Sequence, residues 1–109
     1  ERAPLVALQA AGQTMVELAQ KANLTPSLRM SLALSDGENL YAVRYASEGV
    51  PPSLYYRRSA ADYGWIVVSE PLQADGDWHA VPADSFCTFT KDAVTRVDFA
   101  LTKNVKRAA

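Results

Sequence analysis

The stretch Trp65-Ile66-Val67-Val68-Ser69-Glu70-Pro71-Leu72 decides the fold of this chain. Its first four residues are apolar without alternation, a pattern typical of a strand that is covered on both faces. We therefore expect residues 65–68 to lie in the middle of a sheet. Pro71 cannot donate to a sheet ladder, so it ends the strand and starts a polar loop. Beyond that loop, Trp78 and Val81-Pro82 lead into the next strand.

A long helix is predicted before the strands. Pro4 suits the first turn of a helix, where its missing N–H costs nothing, and Asn23 suits the helix end. Apolar residues at steps of three and four predict one buried stripe, formed by Leu5, Leu8, Gly12, Met15, Leu18, Ala19 and Ala22. Gly12 lies within this stripe, which indicates the close approach of a neighbouring element.

After Pro26 the apolar period changes to two, which predicts strands. Ser35-Asp36-Gly37 forms a turn between the two arms of a hairpin, because Asp bonds its own backbone and Gly supplies positive φ. The predicted strands are 28–34, 40–46, 54–56, 65–68, 86–90 and 94–101. One long N-terminal helix packed on a mostly antiparallel sheet is an α+β fold.

Composition excludes several classes of function. The chain has 109 residues and a formal net charge of −1, so it lacks the basic surface typical of nucleic-acid or anionic-membrane binding. Its single cysteine cannot form an internal disulfide, and no residue spacing indicates a metal or a cofactor. No apolar run is long enough to span a bilayer, and the first residues do not form a signal peptide.

We therefore expect a cytoplasmic protein without a membrane or nucleic-acid partner. One domain is expected over residues 1–102 and a disordered tail over residues 103–109. A start without methionine that runs at once into a helix predicts that the chain was cut from a longer protein.

The order of these motifs carries a family resemblance. A helix, a Ser-Asp-Gly turn, an Arg-Tyr strand, Ser-Glu-Pro-Leu and Trp-x-x-Val-Pro follow one another between about Leu5 and Leu101. This order resembles the second half of a class II glutamine amidotransferase domain. The matching positions are Ser35, Asp36, Gly37, Arg44, Tyr45, Leu54, Tyr55, Ser69, Glu70, Pro71, Leu72, Trp78, Val81 and Pro82. Ala83 stands where the family often has glycine, so the turn there must differ or tolerate a Cβ.

The resemblance implies half of a four-layer αββα sandwich, the fold of N-terminal-nucleophile hydrolases. In that family the cysteine at the mature first residue attacks the glutamine amide, its own α-amine acts as the base, and oxyanion donors lie in the same half. Here the first residue is Glu1 and the only cysteine is Cys87. The chain is therefore expected to carry no catalytic residue and to brace a parent enzyme that hydrolyses glutamine or a γ-glutamyl amide. Its partner would be the missing glutaminase half, or a second copy through the exposed sheet face.

Individual residues support less specific roles. Cys87 lies within a strand among aromatic residues, which favours a buried apolar role over a reactive dyad with His79. The run 75–77 is not a calcium loop, because the required glycine and glutamate positions hold other residues. Glu70 is expected to pair with an arginine, Arg44 or Arg57. Asp36 is explained by its turn, and Trp78 by packing against the sheet.

Two other functions remain open from the sequence. One is an autonomous interaction or ligand-binding module without catalytic activity. The other is a hydrolase that uses Cys87. Half of a sandwich must expose an apolar face, whereas an autonomous module should present polar outer faces. Strands that are apolar on both sides, such as 65–68, favour the bracing half.

Overall fold

A computed structural model describes residues 2–25, 27–59, 64–71 and 76–101 of the chain. The predicted tail lies outside the described residues, as do Pro26 and Leu72. Within these ranges one helix precedes seven strands: α1 (Arg2–Lys21), β1 (Arg29–Ser35), β2 (Leu40–Ala46), β3 (Tyr55–Arg58), β4 (Trp65–Val68), β5 (His79–Ala80), β6 (Ser85–Phe89) and β7 (Val94–Asp98). The predicted α+β class is confirmed.

The strands form two antiparallel sheets rather than one. The large sheet has the order β1-β2-β6-β7, and the small sheet has the order β4-β3-β5. The helix α1 packs on one face of the large sheet, and the small sheet packs on its other face. The described part of the chain is therefore a three-layer arrangement of helix, sheet and sheet.

The core between α1 and the large sheet is built from alternate residues of β1 and β2. Tyr41, Val43 and Tyr45 of β2 face the helix, together with Phe86 of β6 and Val16 of α1. The N–H of Phe99 donates to the carbonyl of Asp84 at 2.9 Å, which continues the contact between β6 and β7 by one residue. Phe99 and Leu101, which follow β7, are buried in the same core. The last strand itself ends at Asp98, earlier than predicted.

Three aromatic side chains meet in the core between the two sheets. Phe89 of β6 is buried, and its ring centroid lies 5.1 Å from that of Tyr56 and 5.2 Å from that of Trp65. The indole Nε1 of Trp65 donates to the carbonyl of Thr90 at 2.7 Å. Paired aromatic rings contribute about 0.5–1.5 kcal/mol beyond their buried area. These contacts fix the small sheet on the large one.

The helix differs from its prediction in the residues that it buries. Val16 is buried in the core, whereas Met15 and Leu18 of the predicted stripe are 48% and 59% exposed. Spacing alone cannot decide whether Met15 or Val16 faces the core, since the two residues are adjacent and both are apolar. The buried stripe predicted beyond Gly12 was therefore wrong by one position. The close approach at Gly12 is confirmed, because a Cβ built there would lie 3.1 Å from Leu101 Cδ2. No described helix is long and apolar enough to cross a membrane.

The end of α1 agrees with the prediction at Asn23. Asn23 adopts a left-handed conformation with φ of 61°. The N–H of Asn23 donates to the carbonyl of Gln20, and that of Leu24 donates to the carbonyl of Ala19. This pair of bonds is the Schellman motif, which satisfies the free carbonyls of the last turn.

The prediction that residues 65–68 lie in the middle of a sheet is wrong. Among the described residues β4 pairs only with β3, so it is an edge strand, and all four of its residues are half-buried. The two-residue strand β5 was not predicted, because two residues show no period. An apolar run indicates that a strand is buried, but it does not indicate which strands lie beside it. The edge of β4 thus carries more apolar surface than this part of the chain covers.

Candidate functional site

The turn after β1 is held by the side chain of Asp36. Its Oδ1 accepts hydrogen bonds from the N–H groups of Glu38 at 2.9 Å and Asn39 at 2.8 Å. The hydroxyl of Tyr41 donates to its Oδ2 at 2.9 Å. These bonds, with those from the backbone amides as the main cause, lower the pKa of Asp36 below its usual value. The geometry assigns Asp36 to the turn, and Gly37 supplies the required positive φ of 92°.

We predict that Asp36→Asn reduces the dependence of stability on acid pH. A carboxyl whose pKa is lowered on folding stabilises the fold above its unfolded pKa of about 3.9. That stabilisation is lost as the pH falls through the lower pKa of the folded state. Urea unfolding between pH 6 and pH 2 should therefore show a shallower loss in the variant than in the parent sequence. Asp92→Asn, in another exposed turn, is the control, and identical slopes for Asp36→Asn and the parent sequence would contradict the prediction.

Arg44 on β2 holds three separate backbone carbonyls. Its Nε donates to the carbonyl of Pro52 at 2.9 Å, its Nη1 to that of Val81 at 2.8 Å, and its Nη2 to that of Pro51 at 3.2 Å. The guanidinium group provides this fork of donors in one rigid plane. Arg44 thereby joins the large sheet to the segment before β3 and to the segment after β5. Sequence reasoning matched Arg44 to a family motif but gave no sign of these partners.

Glu70 pairs with a serine and not with an arginine. Its Oε2 lies 3.0 Å from the hydroxyl of Ser53, which lies at the same distance from the carbonyl of Ser69. Ser31 of β1 in turn donates to the carbonyl of Ser53 at 3.1 Å. The predicted pairing of Glu70 with Arg44 or Arg57 is wrong, since Arg44 is occupied by carbonyls. The role of Ser53 was missed because a single serine after two prolines carries no distinguishing pattern.

Arg57 and Trp78 form a stacked pair beside the small sheet. The guanidinium carbon of Arg57 lies 5.0 Å from the ring centroid of Trp78, within the range of a cation–π contact. The Nε atom of Arg57 is buried and has no hydrogen-bond partner among the described residues. Gly76 adopts a φ of 123° against both side chains. Trp78 thus packs against β3 through Arg57.

A groove of about 470 Å³ runs beside this pair. Tyr56, Arg57, Trp65 and His79 line it, and the ring of His79 lies 5.3 Å from that of Tyr56. Burial raises the pKa of Tyr56, so its hydroxyl is protonated at neutral pH. Arg58, Asp77 and Val94 complete the lining, so the walls are aromatic and carry both positive and negative charge. Among the described lining residues none is a cysteine, serine or threonine that could act as a nucleophile.

Cys87 is a buried apolar residue, as predicted. It is 2% exposed, it lies between Ala42 and Arg96 on the neighbouring strands, and no hydrogen bond joins it to His79. Burial raises the pKa of its thiol, against a smaller opposing effect of Arg96. A buried, protonated thiol is a poor nucleophile. The geometry therefore does not support a hydrolase that uses Cys87.

The reactivity of Cys87 gives a second prediction. At pH 7.5 the native chain should react with a thiol reagent at least about 100-fold more slowly than the chain unfolded in urea, because reaction requires opening of the inter-sheet core. The time course of labelling is read by mass spectrometry. A matched control is Ser69→Cys, which places a thiol at an exposed position. Equal labelling rates at Cys87 and at the control thiol would contradict this assignment.

The remaining motif residues are spread over both cores. Tyr45 faces the helix, where its ring lies 5.4 Å from that of Phe99. Val81 is buried between the sheets, Pro71 is half-buried, and Pro82 is exposed. The positive φ beyond Val81-Pro82 falls on Asp84, at 56°, so Ala83 needs no glycine-like conformation. Arg44 donates to the carbonyl of Val81, and Ser53 joins the carbonyl of Ser69 to the carboxylate of Glu70. Among the described residues, the hydrogen bonds of the Ser35-Asp36-Gly37 turn are all local.

Several of the motif residues thus hold separate segments of the chain together. Among the described residues, no group of three or more His, Cys, Asp or Glu could hold a metal ion. No protein-family model and no curated protein matches the chain. Solved structures do match, among them that of a glutamine aminotransferase class-II domain protein from Silicibacter pomeroyi. It is 41% identical in sequence, with a TM-score of 0.82 over 94% of this chain. The chain is related to class II glutamine amidotransferase-like domains.

The match covers nearly all of this chain but only part of the Silicibacter pomeroyi protein. The present chain spans 47% of the Silicibacter pomeroyi protein, about half its length. The class II amidotransferase-like fold is therefore shared over the helix and both sheets described above. The expected α+β architecture and the resemblance read from the motifs are both confirmed.

Proposed function

We propose that this chain is the C-terminal, non-catalytic half of a class II glutamine amidotransferase-like amidohydrolase. The observation that carries the proposal is the asymmetric match, in which 94% of this chain aligns with 47% of a class II domain protein. The parent enzyme would release ammonia from glutamine or cleave a γ-glutamyl amide. The present half would supply the helix layer, the large sheet and the small sheet that support the catalytic half.

The chemistry of the described residues supports a bracing role. Amide hydrolysis by this mechanism needs a thiolate beside a free α-amine, and Cys87 is internal, buried and protonated. A missing oxyanion donor alone removes about 3–4 kcal/mol of transition-state stabilisation. The polar motif residues Arg44, Ser53 and Glu70 are engaged in contacts that join segments of this chain. These contacts suit a structural role for the three side chains better than a role as acids or bases.

The small sheet offers the surface that a catalytic half would cover. Tyr56 and Val67 pack toward the large sheet, so their neighbours Tyr55, Arg57 and Ile66 lie on the opposite face. Those three residues are only half-buried. The open edge of β4 would pair with a strand of that half.

An activity comparison tests the proposal. Ammonia release from L-glutamine and from γ-glutamyl amides is measured for the natural polypeptide that contains this sequence and for the 109-residue chain alone. The natural polypeptide is expected to be active and the chain alone inactive. Cys87→Ser in the natural polypeptide is the matched control and should leave the rate unchanged. Loss of activity in that variant would overturn the assignment, and an inactive natural polypeptide would favour an autonomous binding module.

A further inference from the structure

Asp36-Gly37 is a chemically labile dipeptide at an exposed turn. In such a pair the backbone nitrogen of glycine can attack the side-chain carboxyl carbon of aspartate, because glycine has no Cβ to hinder the approach. A bond forms between Gly37 N and Asp36 Cγ, and one carboxyl oxygen leaves as water with the proton of the amide. Water then opens the resulting succinimide at either carbonyl, which gives aspartate or isoaspartate without a net change in mass.

Burial does not prevent this reaction at Asp36. Both Asp36 and Gly37 are exposed, and a Cβ built at Gly37 would meet no atom within 4 Å. Water can therefore reach the carbonyls of a succinimide formed there. An isoaspartate would add one carbon to the main chain next to the pair of Ser35 and Leu40, where the register of β1 and β2 begins. The reaction would thus disturb the hairpin that forms part of the core under α1.

The hydrogen bonds of the turn engage both reacting groups. The attacking nitrogen of Gly37 donates its proton to Ser35 Oγ at 3.0 Å. The Asp36 carboxyl group accepts from two backbone N–H groups at Oδ1 and from the Tyr41 hydroxyl at Oδ2. Attack at Cγ makes that carbon tetrahedral and redirects both oxygens, so it weakens all three of these bonds. They also lower the pKa of Asp36, so at neutral pH the carboxyl group lacks the proton with which its oxygen leaves.

We propose that Asp36 is a site of isoaspartate formation, which the side chains of Ser35 and Tyr41 suppress in the folded protein. Ser35 contributes by binding the N–H of the attacking nitrogen. Tyr41 contributes because its ring is 2% exposed and stacked on that of Phe86 at 5.9 Å, so the core holds its hydroxyl against the carboxylate. The protection is lost whenever the turn opens. This role is independent of the proposed amidohydrolase function.

The rate of isoaspartate formation in the natural polypeptide that contains this sequence tests the proposal. Samples aged at pH 7.5 are digested, and the peptide that holds Asp36 is measured by liquid chromatography and by methyl transfer from an isoaspartate-specific methyltransferase. In urea, Asp36-Gly37 should rearrange as fast as Asp75-Gly76, the other Asp-Gly pair of the sequence. In the folded protein, Asp36 should rearrange at least about tenfold more slowly than in urea.

Two variants separate these hydrogen bonds from the general rigidity of the fold. Tyr41→Phe keeps the ring and removes the hydroxyl, and Ser35→Ala removes the acceptor of the Gly37 N–H. Each should speed rearrangement at Asp36 in the folded protein by about fivefold. Tyr55→Phe removes a hydroxyl from the small sheet and should leave the rate unchanged. Circular dichroism checks that the variants fold. A rate in either folded variant equal to that of the parent sequence would overturn the proposal, as would a folded parent that rearranges as fast as in urea.

Discussion

Phe89→Ala is expected to lower the free energy of unfolding of the chain by about 4 kcal/mol. Phe89 is 1% exposed and lies at the centre of the core between the two sheets. Its ring contacts those of Tyr56 and Trp65, so its removal leaves a cavity and also breaks two aromatic pairs. The cavity lies between rigid strands, which cannot collapse to fill it.

The measurement is urea unfolding followed by tryptophan fluorescence, which reports on Trp65 and Trp78 together. Val97→Ala is the matched control, because Val97 lies on the neighbouring strand and is 48% exposed. It should cost no more than about 1 kcal/mol. Similar losses for the two variants would show that the small sheet is not fixed on the large sheet through Phe89.

Arg44→Ala is expected to lower the free energy of unfolding by about 3 kcal/mol. The substitution removes three charge-assisted hydrogen bonds and leaves the carbonyls of Pro51, Pro52 and Val81 without their donor. Arg44→Lys should recover only a minor part of this loss, since one ammonium group cannot reach all three carbonyls. The guanidinium group is partly exposed, so water can replace part of these hydrogen bonds, and this limits the loss in the free energy of unfolding.

Arg29→Ala is the control for Arg44, because it removes an exposed arginine from the adjacent strand β1. It should change stability by less than about 0.5 kcal/mol. Chemical denaturation of the three variants gives the comparison. Full recovery by lysine would show that positive charge matters and that the forked geometry does not.

Local periodicity was enough to predict most elements of this fold. The helix and the hairpin of β1 and β2 follow from spacing and from the Ser35-Asp36-Gly37 turn. These signals are reliable because they depend on neighbours in sequence. Periodicity could not assign β4 to an edge or separate the strands into two sheets, since those features depend on contacts between distant residues. It also could not choose between Met15 and Val16 for the core, because both are apolar.

The candidate site was less predictable than the fold. Family motifs singled out Arg44 and Glu70, but the partners of both were found only in three dimensions. Arg44 binds carbonyls, and every residue type supplies a carbonyl, so no sequence pattern indicates such a contact. The polar contact predicted for Glu70 was an ion pair, whereas the structure places Ser53 there. Burial of Cys87 was predictable, because apolar neighbours in a strand determine it.

The intact mass and first residue of the protein made in its own cells test most directly whether this sequence is half of an amidotransferase-like domain. We predict a polypeptide about twice the mass of this chain or more, with cysteine as its mature first residue. A native protein with the mass of the 109-residue chain and no co-purifying partner would contradict this conclusion.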